Sequence, residues 1–259
     1  MNKVIDVINN RMSLRKYSNK SIEKEHLDTI IESAMRAPTA GNMMMYSIIV
    51  VEDEEKKLKL SKTCDNQPFI AKAPLVMIFL ADMKRWYDYF EYAGVRSYSE
   101  KHNIKFEGPN KGSFLLAAND AIIAAQNAVI AAESLNIGSC YIGDIMENYE
   151  NHKELLNLPD LVFPVAMLCF GYYPEDTKRI KTTRFDKEYI VFKDEYKTLT
   201  SKEFDDMYMD LNEKVTKVNK FQAENIGQHL YAKKISSDFM KEMGRSIDVA
   251  LKQWNVEEL

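Results

Sequence analysis

The stretch that most constrains this chain is "FLLAANDAIIAAQNAVIAAESL", residues 114–135, its longest apolar run. A helix of that length and character either crosses a membrane or is covered by other protein. Asn119, Asp120, Gln126, Asn127 and Glu133 interrupt it, and ionisable groups at membrane depth are expensive. A buried helix in a water-soluble protein is therefore expected, with no membrane partner. Asn136 and Gly138 suit a left-handed cap at its C-terminus. The opening "MNKVIDVINN" shows neither a long apolar core nor a small-residue cleavage site, so no signal peptide is read there.

The cover for such a helix is legible on both sides of it. "SIIVVED", a short continuous β-branched run, and the apolar stretches "PLVMIFLAD" from Pro74, "SCYIGDI" and "VFPVAMLCFGYY" read as strands, the first two of them buried. Ahead of the first of them, Leu27, Ile30, Ile31 and Ala34 keep the i, i+3, i+4, i+7 spacing of a helix with one buried face. Ser21 is placed to cap that helix, Glu23 and Glu25 to sit in its first turn, and Pro38 to end it. "VIDVI" opens with an amphipathic turn or two, while "EEKKLKLSKTC" and "ENHKELLNL" read as surface helices. Residues 84–111 mix aromatics with charge and are expected to form an excursion of short helices. Strands alternating with helices around one sheet give an α/β or α+β class. After Tyr173 the composition shifts to a basic segment, a short β-prone "YIVF", and polar helical stretches from Ser201, broken near Gly244. With 259 residues, 46% of them hydrophobic, one large domain or one domain with an appendage is expected.

The formal net charge is −4, which argues against a nucleic-acid partner. Against that background "NRMSLRKYSNK", residues 10–20, carries Arg11, Arg15, Lys16 and Lys20 with no acid among them. It is either a solvated basic face or an anion site. If extended, the segment projects Arg11, Ser13 and Arg15 to one side and turns Met12 and Leu14 into the core. If helical, it still places both arginines on one face. Guanidinium groups match phosphate bidentately. A second basic segment supplies Lys178, Arg179, Lys181 and Arg184, and together the two suggest a phosphorylated cofactor. No G-x-G-x-x-G follows a strand, and neither a P-loop nor a G-x-S-x-G elbow occurs, so nucleotide-fold, kinase and hydrolase readings lack support. The 3 cysteines and 4 histidines fall singly. No metal site is expected, and a reducing cytoplasm is the natural compartment.

The run from Asn10 to Val51, with its R-x-S-x-R-x-Y box, following helix and "APTAGN" turn, resembles the opening of the FMN-dependent nitroreductase family. "DAIIAAQNAVIAAESLNIGSCYIGDI" resembles that family's central helix and flavin-facing strand, and "LPDLVFPVAMLCFGYYPED" its closing strand. The likeness covers residues 1 to about 197, and the helical tail is similar to the larger, NADPH-preferring branch that includes flavin reductases.

This resemblance implies an α+β fold with a central mixed sheet flanked by helices. It implies a flavin-binding core over 1–197, with 84–111 as a surface excursion, and a helical extension over 198–259 wrapping the core or a partner subunit. It also implies a homodimer whose flavin sites lie at the interface formed by the long central helix. By position, Arg11 would meet the FMN phosphate, Ser13 the phosphate or ribityl end, and Arg15 the N1/O2 edge of the ring. Thr39 would reach the flavin of the partner subunit, Gln67 would hydrogen-bond the ring, and the Gly143 N–H would approach N5. Asp144 stands where the larger branch usually has a second glycine. Arg184 matches the late phosphate-binding arginine, and Lys181 precedes Thr182, which occupies the usual lysine position. Lys217 and Lys220 are candidates for the 2′-phosphate of NADPH. The implied activity is ping-pong transfer of a hydride from NADPH or NADH through FMN to small electron acceptors such as nitroaromatics and quinones. No protein side chain acts as catalyst in that scheme. Alternatives are an NAD(P)H:flavin reductase and a non-catalytic flavin-binding redox sensor or storage protein.

Overall fold

Alternation along two central strands sorts their side chains between two apolar layers. The computed structural model describes residues 2–215 and 219–254. Residues up to Ile180, with those from Glu242 onward, form one compact unit, and Lys181–Lys241 form a second. The first unit contains α1 (Lys3–Asn10), α2 (Lys24–Met35), β1 (Tyr46–Val51), α3 (Glu54–Thr63), α4 (Pro68–Ala71) and β2 (Leu75–Asp82). It continues through α5 (Lys84–Tyr92), α6 (Val95–Lys101), α7 (Lys111–Ser134), β3 (Ile137–Ile142), α8 (Tyr149–Leu156) and β4 (Val162–Tyr172). The sheet order is β1-β2-β4-β3. Met77, Phe79 and Ala81 of β2 pack into the layer of α2 and α7. Val76, Ile78 and Leu80 face the other way, onto α3 and α4 through Leu60, Cys64 and Ile70. Covering on both faces makes each central strand a continuous apolar run rather than an alternating one.

All three pairings of the named strands are antiparallel. The mixed sheet expected from the resemblance is thus antiparallel among the described strands, and parallel character survives in one isolated bridge, Ser13 to Ser139. The bridge stays isolated because the chain leaves β3 within a few residues, with Ser18 N–H bonding Tyr172 on β4.

The long helix is α7, 24 residues, starting at Lys111, ahead of the apolar run, with a capping box formed by Asn110 and Ser113. Ala117, Ala121, Ala124, Ala125, Ala128 and Ala132 form its buried face. Small side chains let the helix lie close on the sheet. By length and composition α7 could span a membrane, but this face is packed in the core. Leu115, Leu116, Ile122 and Ile123 on the opposite face are exposed, as are Val4, Ile5 and Ile8 of α1.

Four local expectations change. α2 begins three residues beyond Ser21, with Glu23 at its N-cap and no side-chain cap bond; Glu23 instead pairs with Lys20 at 2.8 Å. Asn136 is the left-handed residue after α7, with φ 60°, whereas Gly138 lies inside β3. "YIVF" forms no strand: a 3-10 turn spans Lys187–Tyr189, and the second unit holds no strand among its described residues for it to pair with. The second unit instead contains α9 (Ser201–Asn212), capped by Thr200 and Glu203, and α10 (Ile226–Leu230). Finally, α11 (Asp238–Gln253) runs unbroken through Gly244. Its continuation from Ser246 carries Ala250 and leads to Trp254, both buried in the first unit's core. The gain from burying that face outweighs the roughly 1 kcal/mol cost of a helical glycine.

Candidate functional site

Two facing glycines make the bed on which the basic segment lies. Gly138 of β3 is the register partner of Gly171 of β4. A Cβ on Gly138 would stand 2.7 Å from Leu14 Cδ2, and one on Gly171 would stand 2.5 Å from Tyr17 Cδ1. Only hydrogen fits at either position. Leu14 and Tyr17 sink into that space, and the Leu14 N–H donates to Ser139 O at 2.9 Å. The segment is extended rather than helical, so its alternate residues face outward. Leu14 is buried, Met12 half-buried, and Ser13 and Arg15 are exposed.

Arg11, Ser13 and Arg15 lie along the open edge of β3, beside Ser139, Cys140 and Tyr141. Burial pushes the Cys140 thiol up, opposed by Arg15, a Ser13 hydrogen bond and Arg11. Burial also pushes Tyr141 up to about 12, opposed by Arg11. Among the described residues neither Arg11 nor Arg15 has an ion-pair partner, and Arg11 Nε is buried without a hydrogen-bond partner. A buried guanidinium nitrogen left unpaired is costly unless something else accepts from it. The Arg15 guanidinium lies 5.9 Å from the Phe69 ring, so α4 and Gln67 before it flank the same ground. Gln67 occupies the N-cap position of α4 and spends one side-chain N–H on Cys64 O at 3.0 Å; among the described residues no group donates to its amide oxygen. Past the end of β3, Gly143 opens a 3-10 turn. A Cβ there would meet nothing closer than Met146 Cε at 3.8 Å, so the space in front of Gly143 is open. The structure thus gathers Arg11, Ser13, Arg15, Gln67 and Gly143. Unpaired cations, a hydroxyl and an open glycine fit the donor needs of a flavin phosphate and ring edge.

Thr39 stands apart, in the layer of α2 and α7, on the loop joining α2 to β1. Its Oγ1 accepts from Met44 N–H at 3.2 Å. Lys181 and Arg184 belong to the second unit. There Arg184 donates to Thr182 Oγ1 at 2.5 Å and lines a cavity of about 470 Å³ with Phe185, Tyr189 and Asp206. Lys220 is exposed, and Lys217 lies outside the described residues.

The second basic segment is less free than its composition suggests. Arg179 is paired with buried Glu133, and it donates to Asn136 Oδ1 at 3.1 Å and to Asn10 O at 3.3 Å. Tyr173 O–H also donates to Glu133, at 2.8 Å. Arg179 therefore ties the chain beside Arg11 instead of offering a free charge. Glu133 and Asp120 are the two acids of α7 that meet distant groups, Arg179 for the one and the Ala40 and Met45 N–H groups for the other. Their signal was their presence as acids in an otherwise apolar helix.

A family model described as "Nitroreductase family" matches residues 8–172. Over 197 residues the chain is 33% identical to the FMN reductase (NAD(P)H) of Bacillus subtilis strain 168, covering 76% of this chain and 75% of that one. Over 210 residues it is 31% identical to the CR(VI) reductase of Pseudomonas sp. strain G-1, covering 81% and 82%. Among solved structures, B. megaterium NfrA2 superposes with a TM-score of 0.78 at 32% identity over 98% of each chain. The matched region carries the basic segment, the glycine bed and the open turn after β3, and by it this chain belongs to the nitroreductase family.

Proposed function

We propose that this protein is an FMN-dependent NAD(P)H oxidoreductase that reduces small electrophiles, among them nitroaromatics, quinones and free flavin. The observation that carries this is the row Arg11, Ser13 and Arg15, unpaired by any acid, beside the open face of Gly143. The names of the relatives point the same way: two B. subtilis proteins at 33% identity are FMN reductases, which favours free flavin as one acceptor.

Arg11 and Ser13 would hold the phosphate end, and Arg15 would lie at the N1/O2 edge. Gln67 offers its amide oxygen to a ring donor, Gly143 its backbone N–H, and Thr39 its hydroxyl to the flavin site of a partner subunit. Bound FMN supplies the redox chemistry, taking a hydride from NAD(P)H and delivering electrons to the acceptor. The protein's part is electrostatic: a fixed cation at Arg15 favours the edge where reduction places negative charge. Asp144 beside Gly143 adds an opposing charge and would lower the potential. The uncovered apolar face of α1 and α7, which a two-fold contact would bury, supports a homodimer. The free, buried state of Cys64, Cys140 and Cys169 suits the cytoplasm.

The test is the absorption spectrum of the purified protein followed by anaerobic titration with NADPH or NADH. Oxidised-flavin bands that bleach on titration and return with a nitroaromatic, a quinone or free FMN are expected. A coloured protein that does not bleach would make it a non-catalytic flavin binder, and a protein that neither carries nor takes up FMN would end the proposal.

A further inference from the structure

The loop that carries Thr39 is held in a conformation its residues do not prefer. Gly41, Asn42 and Met44 have φ of 56°, 57° and 50°. Glycine and asparagine adopt the left-handed region readily, but a methionine there is strained. Such strain persists only where the surroundings over-determine it. Here Trp86 Nε1 donates to Met43 O at 2.7 Å and Arg85 donates to Met44 O at 2.5 Å. The opposite side is closed by Asp120 of α7, which is 2% exposed. Its Oδ1 accepts from Ala40 N–H at 2.9 Å and its Oδ2 from Met45 N–H at 3.2 Å. One carboxylate therefore grips both ends of the loop. Both partners are donors, so an amide at this position would turn an NH₂ against one of them. Inside the loop, Thr39 Oγ1 accepts from Met44 N–H, which leaves its own hydroxyl hydrogen to donate outward.

We propose that Asp120 is a positioning residue for cofactor binding, fixing the Thr39–Met45 loop so that the Thr39 hydroxyl is presented to the flavin site. This rests on the assignment of Thr39 made under the proposed function. Asp120 itself does not touch the cofactor. It converts the rigidity of the core helix into the position of a loop that would otherwise relax out of its left-handed turn.

The experiment is fluorescence titration of FMN into flavin-stripped wild type, D120N, T39V and the double variant, each well below its measured thermal midpoint. D120N and T39V are each expected to weaken FMN binding, D120N by about tenfold or more. The double variant is expected to match D120N within about twofold, because the loop is already displaced. Wild-type affinity in D120N, no effect of T39V, or effects that multiply in the double variant would each overturn the proposal. General loss of packing lowers the midpoint but does not create this coupling. Should D120N fail to fold, A40P removes the Ala40 donor and turns its ring Cδ against Asp120 Oδ1, releasing that end of the loop, after a Thr39 that is already extended at φ −134° and ψ 156°. It is expected to weaken FMN binding several-fold, and unchanged binding would overturn the proposal. Failure of the cofactor assignment is distinct, because it would appear as no saturable FMN binding in the wild type.

Discussion

Arg15 and Glu147 show how differently two charged side chains of one site region behave. Arg15 is exposed and free of acidic partners, so Arg15→Ala is expected to change stability by no more than about 0.5 kcal/mol. FMN affinity is expected to fall about tenfold or more, the scale of a charge-assisted hydrogen bond. Calorimetric melting beside an FMN titration checks both halves. Glu147, just past the Gly143 turn, is 6% exposed with Oε1 unpartnered. Burial first, then Asp144, Asp65 and Glu242, pushes its carboxyl from 4.5 up to about 7. The native state therefore holds a proton that the unfolded chain has released between those values. This contribution to stability is complete below about pH 4.5 and is lost as pH rises through 7. Glu147→Gln is expected to flatten that decline, by about 2 kcal/mol at pH 8, read as thermal midpoints at pH 5 and pH 8. His152 acts in the opposite sense. Burial lowers its pKa, so its contribution is present above about 6.5 and fades as pH falls below that value. The two windows overlap below about 6.5 with opposite sign, so the Glu147 contribution is read as the difference between Glu147→Gln and wild type, in which His152 cancels.

At the scale of elements, the glycine bed and the alanine face of α7 obey one rule: close approach of backbone requires absent side chains. Gly171→Ala would place a Cβ against the Tyr17 ring and Pro74. It is expected to cost about 2 kcal/mol and, by lifting the segment that carries Arg11 to Arg15, to weaken FMN binding as well. Ala128→Leu, on the sheet-facing side of α7, is expected to cost about 1–3 kcal/mol through overpacking, with FMN affinity measured below the midpoint little changed. Chemical denaturation of both variants checks the costs, and FMN titration separates the element that carries the site from the element that supports the core. These glycines and alanines were visible in the sequence, but their purpose was not. Gly138 reads as a helix cap from its position after Leu135. It takes the strand pairing with Gly171 to show that its missing Cβ serves Leu14.

At the scale of the whole molecule, the exposed apolar residues of α1 and α7 are the surface on which the proposed dimer would form. Ile122→Lys with Ile123→Lys is expected to shift the protein from dimer toward monomer in sedimentation velocity, and to weaken FMN binding if each site borrows Thr39 from its partner. A wild type that sediments as a monomer at micromolar concentration would remove the dimer from the proposed function.

Periodicity and composition alone determined the four strands and the core helix, because these follow from local geometry with periods of 2 and 3.6 residues. They left the basic segment either extended or helical, and its seat against β3 decided for extended. The resemblance then named the family. Strand order, the antiparallel pairings and the neutralisation of Arg179 by Glu133 were decided only by tertiary structure. So was the grip of Asp120 on the Thr39 loop, made between residues 80 positions apart. Each depends on which distant partner a side chain meets, and a meeting between distant residues leaves no period in a single chain.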